Sequence, residues 1–222
     1  MKIEIKNLCK SFEDKIVFCN FNISFTSEKI NSIIGESGGG KSTLLNILSG
    51  LLKKDSGEVI GINEDEISYI FQEDRLVPWL NIKENMELFI YDYFSKDEGN
   101  KKIREIFKLL HLENIEKEYP RKLSGGMRQR VNIARALLKP SKLILMDEPF
   151  KSLDYKTKYS IMKELIEIFK KEKRMVIFVT HDVDEAIYMN GKIYILGGKP
   201  FNIKKVFNEG LEENKKEILT LI

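Results

Sequence analysis

Along the first third of the chain, apolar and polar residues alternate in short runs: Ile3-Glu4-Ile5, then Ile16 to Phe25, then Lys29 to Ile34. A repeat of two predicts strands. After Gly35 the period changes, and Leu44, Leu45, Ile47, Leu48 and Leu51 fall on one face of a helix before Asp55-Ser56-Gly57 turns the chain. Short strands are predicted at Glu58 to Ile60 and Ile67 to Phe71, followed by a Lys- and Glu-rich stretch, Ile82 to Glu118, with helical spacing. Beyond it the pattern predicts a helix over Gly126 to Leu138, a strand over Leu143 to Met146, an amphipathic helix over Tyr155 to Lys171 and a strand over Met175 to Val179. A solvated strand and helix are expected in Lys204 to Lys216. Apolar strands separated by helices indicate an α/β fold whose parallel sheet is covered on both faces. There is no internal repeat and no linker rich in Pro, Gly or Ser. Residues 1–222 are therefore expected to form a single domain, with the helical middle, about 73–138, inserted in it.

Composition sets limits on function. The 222 residues are 42% hydrophobic and 32% charged, as in an ordinary folded protein. The 37 Lys and Arg against 34 Asp and Glu leave a net charge of +3, too little to hold nucleic acid or an acidic membrane non-specifically, and no nucleic-acid partner is expected. Cys9 and Cys19 fit no metal-ligand pattern and are expected to be packing residues. The start, Met-Lys-Ile-Glu-Ile-Lys, lacks a signal-like apolar core, so a reduced, cytoplasmic setting is expected. Apolar runs are strand-sized, far short of the roughly 20 residues that cross a bilayer. Any action at a membrane needs another chain to cross it.

The chemistry is concentrated in three segments. Gly35-Glu36-Ser37-Gly38-Gly39-Gly40-Lys41-Ser42-Thr43 has the phosphate-loop spacing, between a predicted buried strand and an apolar-striped helix. Backbone amides and the helix N-terminus there converge on one anion site, with Lys41 to neutralise phosphate and the Ser42 hydroxyl to ligate Mg²⁺. Leu143-Ile144-Leu145-Met146-Asp147-Glu148 delivers two carboxylates at the end of an apolar strand: Asp147 suits the Mg²⁺ shell, and Glu148 suits a water aimed at the γ-phosphate. Leu123-Ser124-Gly125-Gly126-Met127-Arg128-Gln129-Arg130 opens a helix whose first amides and Ser124 hydroxyl can grip a further phosphate.

This third segment resembles the signature of ATP-binding-cassette ATPases. The resemblance implies a phosphate-loop NTPase fold of the RecA-like type: a mostly parallel core sheet, an N-terminal antiparallel β subdomain and a helical subdomain. It implies ATP and Mg²⁺ as ligands and a head-to-tail homodimer in which Ser124, Gly125 and Gly126 complete the partner's site, with Asp154 of Ser152-Leu153-Asp154 at the interface. It also implies roles for Gln72 beside Mg²⁺, for His181 at the γ-phosphate and for Phe12 stacked on adenine, with Phe18 and Phe21 as competitors for that last role. Met127 stands where the family usually has Gln, and residues 57–72 are fewer than is usual, so a trimmed antiparallel sheet is expected.

Phe71-Gln72-Glu73-Asp74-Arg75-Leu76-Val77-Pro78-Trp79-Leu80 is similar to ATPase subunits of nitrate, sulfonate and taurine importers. That similarity implies a permease partner docked near this segment at the cytoplasmic face of the membrane, and an extracytoplasmic solute-binding protein as an indirect partner. Pro78-Trp79 would otherwise be a turn with a packed indole, and Tyr91, Tyr93 and Phe94 are expected in helical core. A non-transport assembly or regulatory ATPase and an exporter ATPase are the alternatives. No added regulatory C-terminal domain is expected after Ile222.

Overall fold

The computed structural model describes residues 1–222. β1 (Lys2–Phe12) and β2 (Lys15–Thr26) form a long antiparallel hairpin, β3 (Asn31–Gly35) follows, and α1 (Lys41–Leu48) leaves the phosphate loop. β4 (Ser56–Ile60) pairs with β1, closing a three-stranded antiparallel sheet in the order β2-β1-β4. After a single 3-10 turn, β5 (Ile67–Ile70) enters the second sheet. The helices α2 (Ile82–Ile90), α3 (Lys96–Leu109) and α4 (Gly125–Leu138) come next, then β6 (Leu143–Asp147), α5 (Tyr155–Glu172), β7 (Met175–Val179), α6 (Val183–Tyr188), β8 (Lys192–Gly197), β9 (Asn202–Phe207) and α7 (Lys215–Leu221). The six-stranded sheet has the order β5-β6-β7-β3-β8-β9, parallel except for β9.

The continuous apolar runs are buried on both sides, as expected. In β6, Leu143 and Leu145 join the apolar cluster of the antiparallel sheet and α1, while Ile144 and Met146 join the cluster of α4 and α5. β7 divides the same way, with Ile177 on one face and Phe178 on the other. That second cluster runs without a break from Ile82 and Met86 of α2 through Phe107 of α3 to the core strand β6. The helical middle is therefore packed onto the sheet and shares its core.

Several expectations are corrected. α1 stops at Leu48, and Leu51 lies past the end of the helix on the surface. Residues 82–118 hold two helices, each started by a capping box: Asn81 with Glu84, and Ser95 with Glu98. Tyr91 and Tyr93 lie in the connection between them and are exposed, leaving Phe94 alone of the three packed against the core. Trp79 is 76% exposed, so its indole packs into nothing. Cys19 is exposed and Cys9 half-buried, and both are free thiols.

Candidate active site

Three parallel strands lie side by side and end at the same edge, β6 and β7 level at Asp147 and Val179, and β3 running two residues past Ile33, which is also opposite Val179. Each strand hands one functional segment to the same edge, where open α/β sheets place their ligands. β3 delivers the phosphate loop, β6 delivers Asp147 and Glu148, and β7 leads through Thr180 to His181. Ser37, Gly38, Gly40, Lys41, Ser42 and Thr43 line a cleft of about 310 Å³ together with Gln72, Glu148 and Lys151.

The loop is built around glycines that a side chain would displace. Gly40, the residue before α1, has φ 119°, and a Cβ there would lie 2.6 Å from Val17. At Gly39 a Cβ would meet the Phe201 ring at 2.3 Å. Gly40 offers no side chain to cap α1, so the first-turn amides of the helix, which have no carbonyl within it to bond, stay open for an anion. Gly35 and Glu36 give their carbonyl oxygens to Lys41, whose Nζ donates to them at 2.7 and 2.8 Å. An ammonium has three protons, so one remains to point into the cleft. Burial lowers the Lys41 pKa, opposed by the charges of Glu148, Asp147 and Glu36.

Asp147 is buried, with Ser42 beside it. Burial raises its pKa, and the neighbouring Ser42 hydroxyl pulls the other way. No group of three or more His, Cys, Asp or Glu could hold a metal in this chain. One hydroxyl and one carboxylate therefore fit a hard cation that takes its remaining ligands from phosphate oxygens and water, as Mg²⁺ does.

Glu148 has φ 45°, an uncommon conformation for a residue with a Cβ. The backbone is held there by its N–H, which donates to Val179 O at 2.9 Å. One carboxylate oxygen lies 3.2 Å from His181 Nδ1; the other is buried, 3.4 Å from Lys151 Nζ without hydrogen-bond geometry. The carboxylate thus sits between His181 and Lys151, and Glu148 lines the cleft. His181 is half exposed.

The adenine-side assignment narrows. Phe18 and Phe21 are fully buried core residues, so they drop out as competitors. Phe12 is exposed, lies under Lys10 with Nζ 5.2 Å from its ring centre, and is opposite Lys15 in the β1–β2 register. Lys15 Nζ donates to Gly38 O at 3.2 Å, which pins this hairpin end to the phosphate loop. Lys15 belongs to no motif, and only the fold shows its contact.

Ser124, Gly125 and Gly126 lie elsewhere. Ser124 is the cap of α4, accepting from the N–H of Met127 at 3.2 Å, and Gly125 is exposed. Gly125 borders a second cleft with Gln72, Asp74, Arg128, Gln129 and Ser152, and no signature residue lines the phosphate-loop cleft. Gln72 alone borders both clefts. Arg128 ties the signature to the Gln72 segment, its Nε donating to Asp74 Oδ2 at 2.6 Å and Nη1 to Leu123 O at 2.8 Å. The Met127 side chain packs against the α-helical core and makes no polar contact. Asp154 caps α5, accepting from Thr157 N at 3.1 Å, and is exposed.

Comparison with known proteins agrees with this arrangement. The sequence model described as "ABC transporter" matches residues 18–151. The aliphatic sulfonates import ATP-binding protein SsuB of Bacillus cereus (strain ATCC 10987) is 42% identical over 95% of this chain and 87% of its own length. An uncharacterized ABC transporter ATP-binding protein of Methanocaldococcus jannaschii is 35% identical over all of this chain and 91% of its own length. Among solved structures, a dimeric bacterial ABC transporter cassette is 32% identical, with a TM-score of 0.84 over 93% of this chain and 98% of that one. A dimeric post-hydrolysis cassette bound to ADP and Pi is 33% identical, with a TM-score of 0.83 over the same shares. A parallel sheet that ends in a phosphate loop, a carboxylate pair and a histidine, followed over nearly its whole length by these relatives, makes this chain a member of the ABC transporter family, an ATP-binding cassette ATPase.

Proposed function

We propose that residues 1–222 act as one nucleotide-binding domain, with its helical subdomain at about 73–138, energising solute import through a separate membrane permease. The observation that carries the ATPase half is the convergence of Lys41, Asp147, Glu148 and His181 at the ends of three neighbouring strands. The amides of the Gly35 to Thr43 loop and the free Lys41 proton bind the phosphates. Ser42, Asp147 and Gln72 would hold Mg²⁺, which when bound neutralises charge on the β- and γ-phosphate oxygens. Glu148 orients and polarises the attacking water, and His181, beside it, faces the γ-phosphate. Phe12 stacks on the base. Ser124, Gly125 and Gly126 close on the γ-phosphate held by a second copy, with Asp154 crossing between the two.

The import half is supported by the names of the relatives and by a groove. Tyr69, Phe71, Arg75, Phe89 and Arg135 line a cleft between β5 and the helices, Tyr69 and Phe71 stacked at 4.1 Å and the Arg75 guanidinium 3.8 Å above the Phe71 ring. It adjoins Gln72, so a permease seated there would sense the nucleotide site. No helix of this chain is long and apolar enough to cross a membrane, so the permease must do so, with the chain at its cytoplasmic face and an extracytoplasmic binding protein delivering an aliphatic sulfonate.

The test is reconstitution in liposomes with the membrane permease that co-purifies with this chain. Uptake of an aliphatic sulfonate that requires ATP on the side of this chain supports the reading. A soluble or nucleic-acid partner with no permease would favour an assembly or regulatory ATPase, and ATP-driven efflux would favour an exporter.

A further inference from the structure

His181 is half exposed, yet both of its neighbours in the chain are fastened from below. Thr180 is buried and donates from Oγ1 to Glu185 Oε2 at 2.6 Å, and it accepts from the N–H of Asp182 at 3.0 Å. Asp182 caps α6, its Oδ1 accepting from the N–H groups of Asp184 and Glu185. A single cation from another element joins the two acids. Lys158 of α5 donates from Nζ to Asp182 Oδ2 and to Glu185 Oε1, both at 2.9 Å. The Glu185 side chain is only 6% exposed and the Lys158 side chain 15%. No motif includes Lys158, and it does not line the phosphate-loop cleft.

We infer that Lys158 is a positioning residue for ATP hydrolysis: by clamping Asp182 and Glu185 it fixes the Thr180–Asp182 turn so that His181 stands against Glu148. The inference rests on the proposed role of His181. A buried ion pair adds little net stability, because desolvation offsets the attraction, but it holds groups in one geometry. Burial and the neighbouring Asp182 charge push the Glu185 pKa up, and the hydrogen bonds from Thr180 and Lys158 pull the other way, toward the ionised form. Without the clamp, the turn keeps its own Thr180 and Asp182 bonds and the Thr180 N–H to Ile33 O, but nothing ties it to α5, and His181 loses its fixed distance to Glu148.

The experiment compares Lys158→Met, Lys158→Arg and the neutral pair Lys158→Met/Glu185→Gln, the last so that no uncompensated buried carboxylate unfolds the chain. ATP affinity is measured by calorimetry, hydrolysis at saturating ATP, and the imidazole signals by nitrogen-15 NMR, in which only His111 and His181 contribute. A displaced catalytic group costs up to about 10²-fold in rate. Lys158→Met and the neutral pair should therefore lose about tenfold or more in kcat at unchanged ATP affinity, with the His181 signals moved and those of His111 unmoved. Lys158→Arg should restore both. A kcat within about twofold of wild type in the folded neutral pair, or His181 signals that do not move, overturns the inference. His181→Ala separates the two claims: if it hydrolyses ATP normally, the role of His181 fails and the inference fails with it, whereas an inactive His181→Ala beside a fully active neutral pair refutes the inference alone.

Discussion

The phosphate-loop cleft and the signature at the start of α4 are both helix N-termini built from glycine, yet they are finished to different degrees. The first is enclosed. Lys41 is buried against two carbonyls, Asp147 against Ser42, and Glu148 between His181 and Lys151. The second is open, with Ser124 and Gly125 exposed and the cleft that Gly125 borders reaching none of those groups. A site meant to close within one chain would bring its two anion-binding ends together. Here only Gln72 touches both clefts. On the proposed function, the first half holds a nucleotide and the second is displayed for a nucleotide held by another copy, which is the arrangement a head-to-tail pair would use.

The largest expected effect comes from uncoupling the enclosed half from chemistry. Glu148→Gln keeps size and hydrogen bonding but removes the charge that polarises water, so hydrolysis should fall by about 10²- to 10⁴-fold while ATP still binds. Unable to release the bridging nucleotide, this variant should run as a dimer in light scattering with ATP and as a monomer without it. Normal hydrolysis would place the catalytic carboxylate elsewhere.

A smaller effect tests the tension built into the enclosed half. Burial raises the Asp147 pKa, so the folded state binds that proton more tightly than the unfolded chain does. The ionised carboxylate then costs stability at neutral pH, and the cost fades as pH falls toward the raised pKa. Nucleotide-free Asp147→Asn should melt above wild type at pH 7, the gap narrowing on acidification, while Mg²⁺-dependent ATP binding is lost. A lower melting temperature at pH 7 would show that Asp147 is compensated by its neighbours.

The smallest effect belongs at the rim. Phe12→Ala removes one exposed stacking ring, worth about 1 kcal/mol or roughly fivefold in ATP affinity, and should leave kcat at saturating ATP unchanged. Equal affinity in wild type and variant would remove Phe12 from the site.

How far the sequence shows these features depends on what each one rests on. β6 and β7 are legible because a fully buried strand is a continuous apolar run, β3 because Ile33 and Ile34 lead into the phosphate loop, and the groups at their ends follow from motif spacing. β8 carries the same signal in Ile193-Tyr194-Ile195-Leu196 between glycines, and the pattern reading passed over it. The end of α1 before Leu51, the exposure of Cys19 and Trp79, and the division of residues 82–118 are set by tertiary packing and by caps that periodicity does not weigh. Lys15 and Lys158 reach across the fold to segments distant in sequence, and no local pattern marks such contacts.

The claim that the open half serves the partner's nucleotide is tested most directly by mixing two inactive chains. Lys41→Ala removes the charge-assisted contacts of the enclosed half, and Ser124→Arg blocks the open half, so each homodimer should be inactive. In a mixed dimer with shared sites, one site carries both lesions and the other carries neither. Random pairing at equal concentrations makes half the dimers mixed, each with one intact site of two, so about a quarter of wild-type ATPase activity should return if sites act independently. No activity above that of the separate variants, at any mixing ratio, would contradict a site shared between two copies.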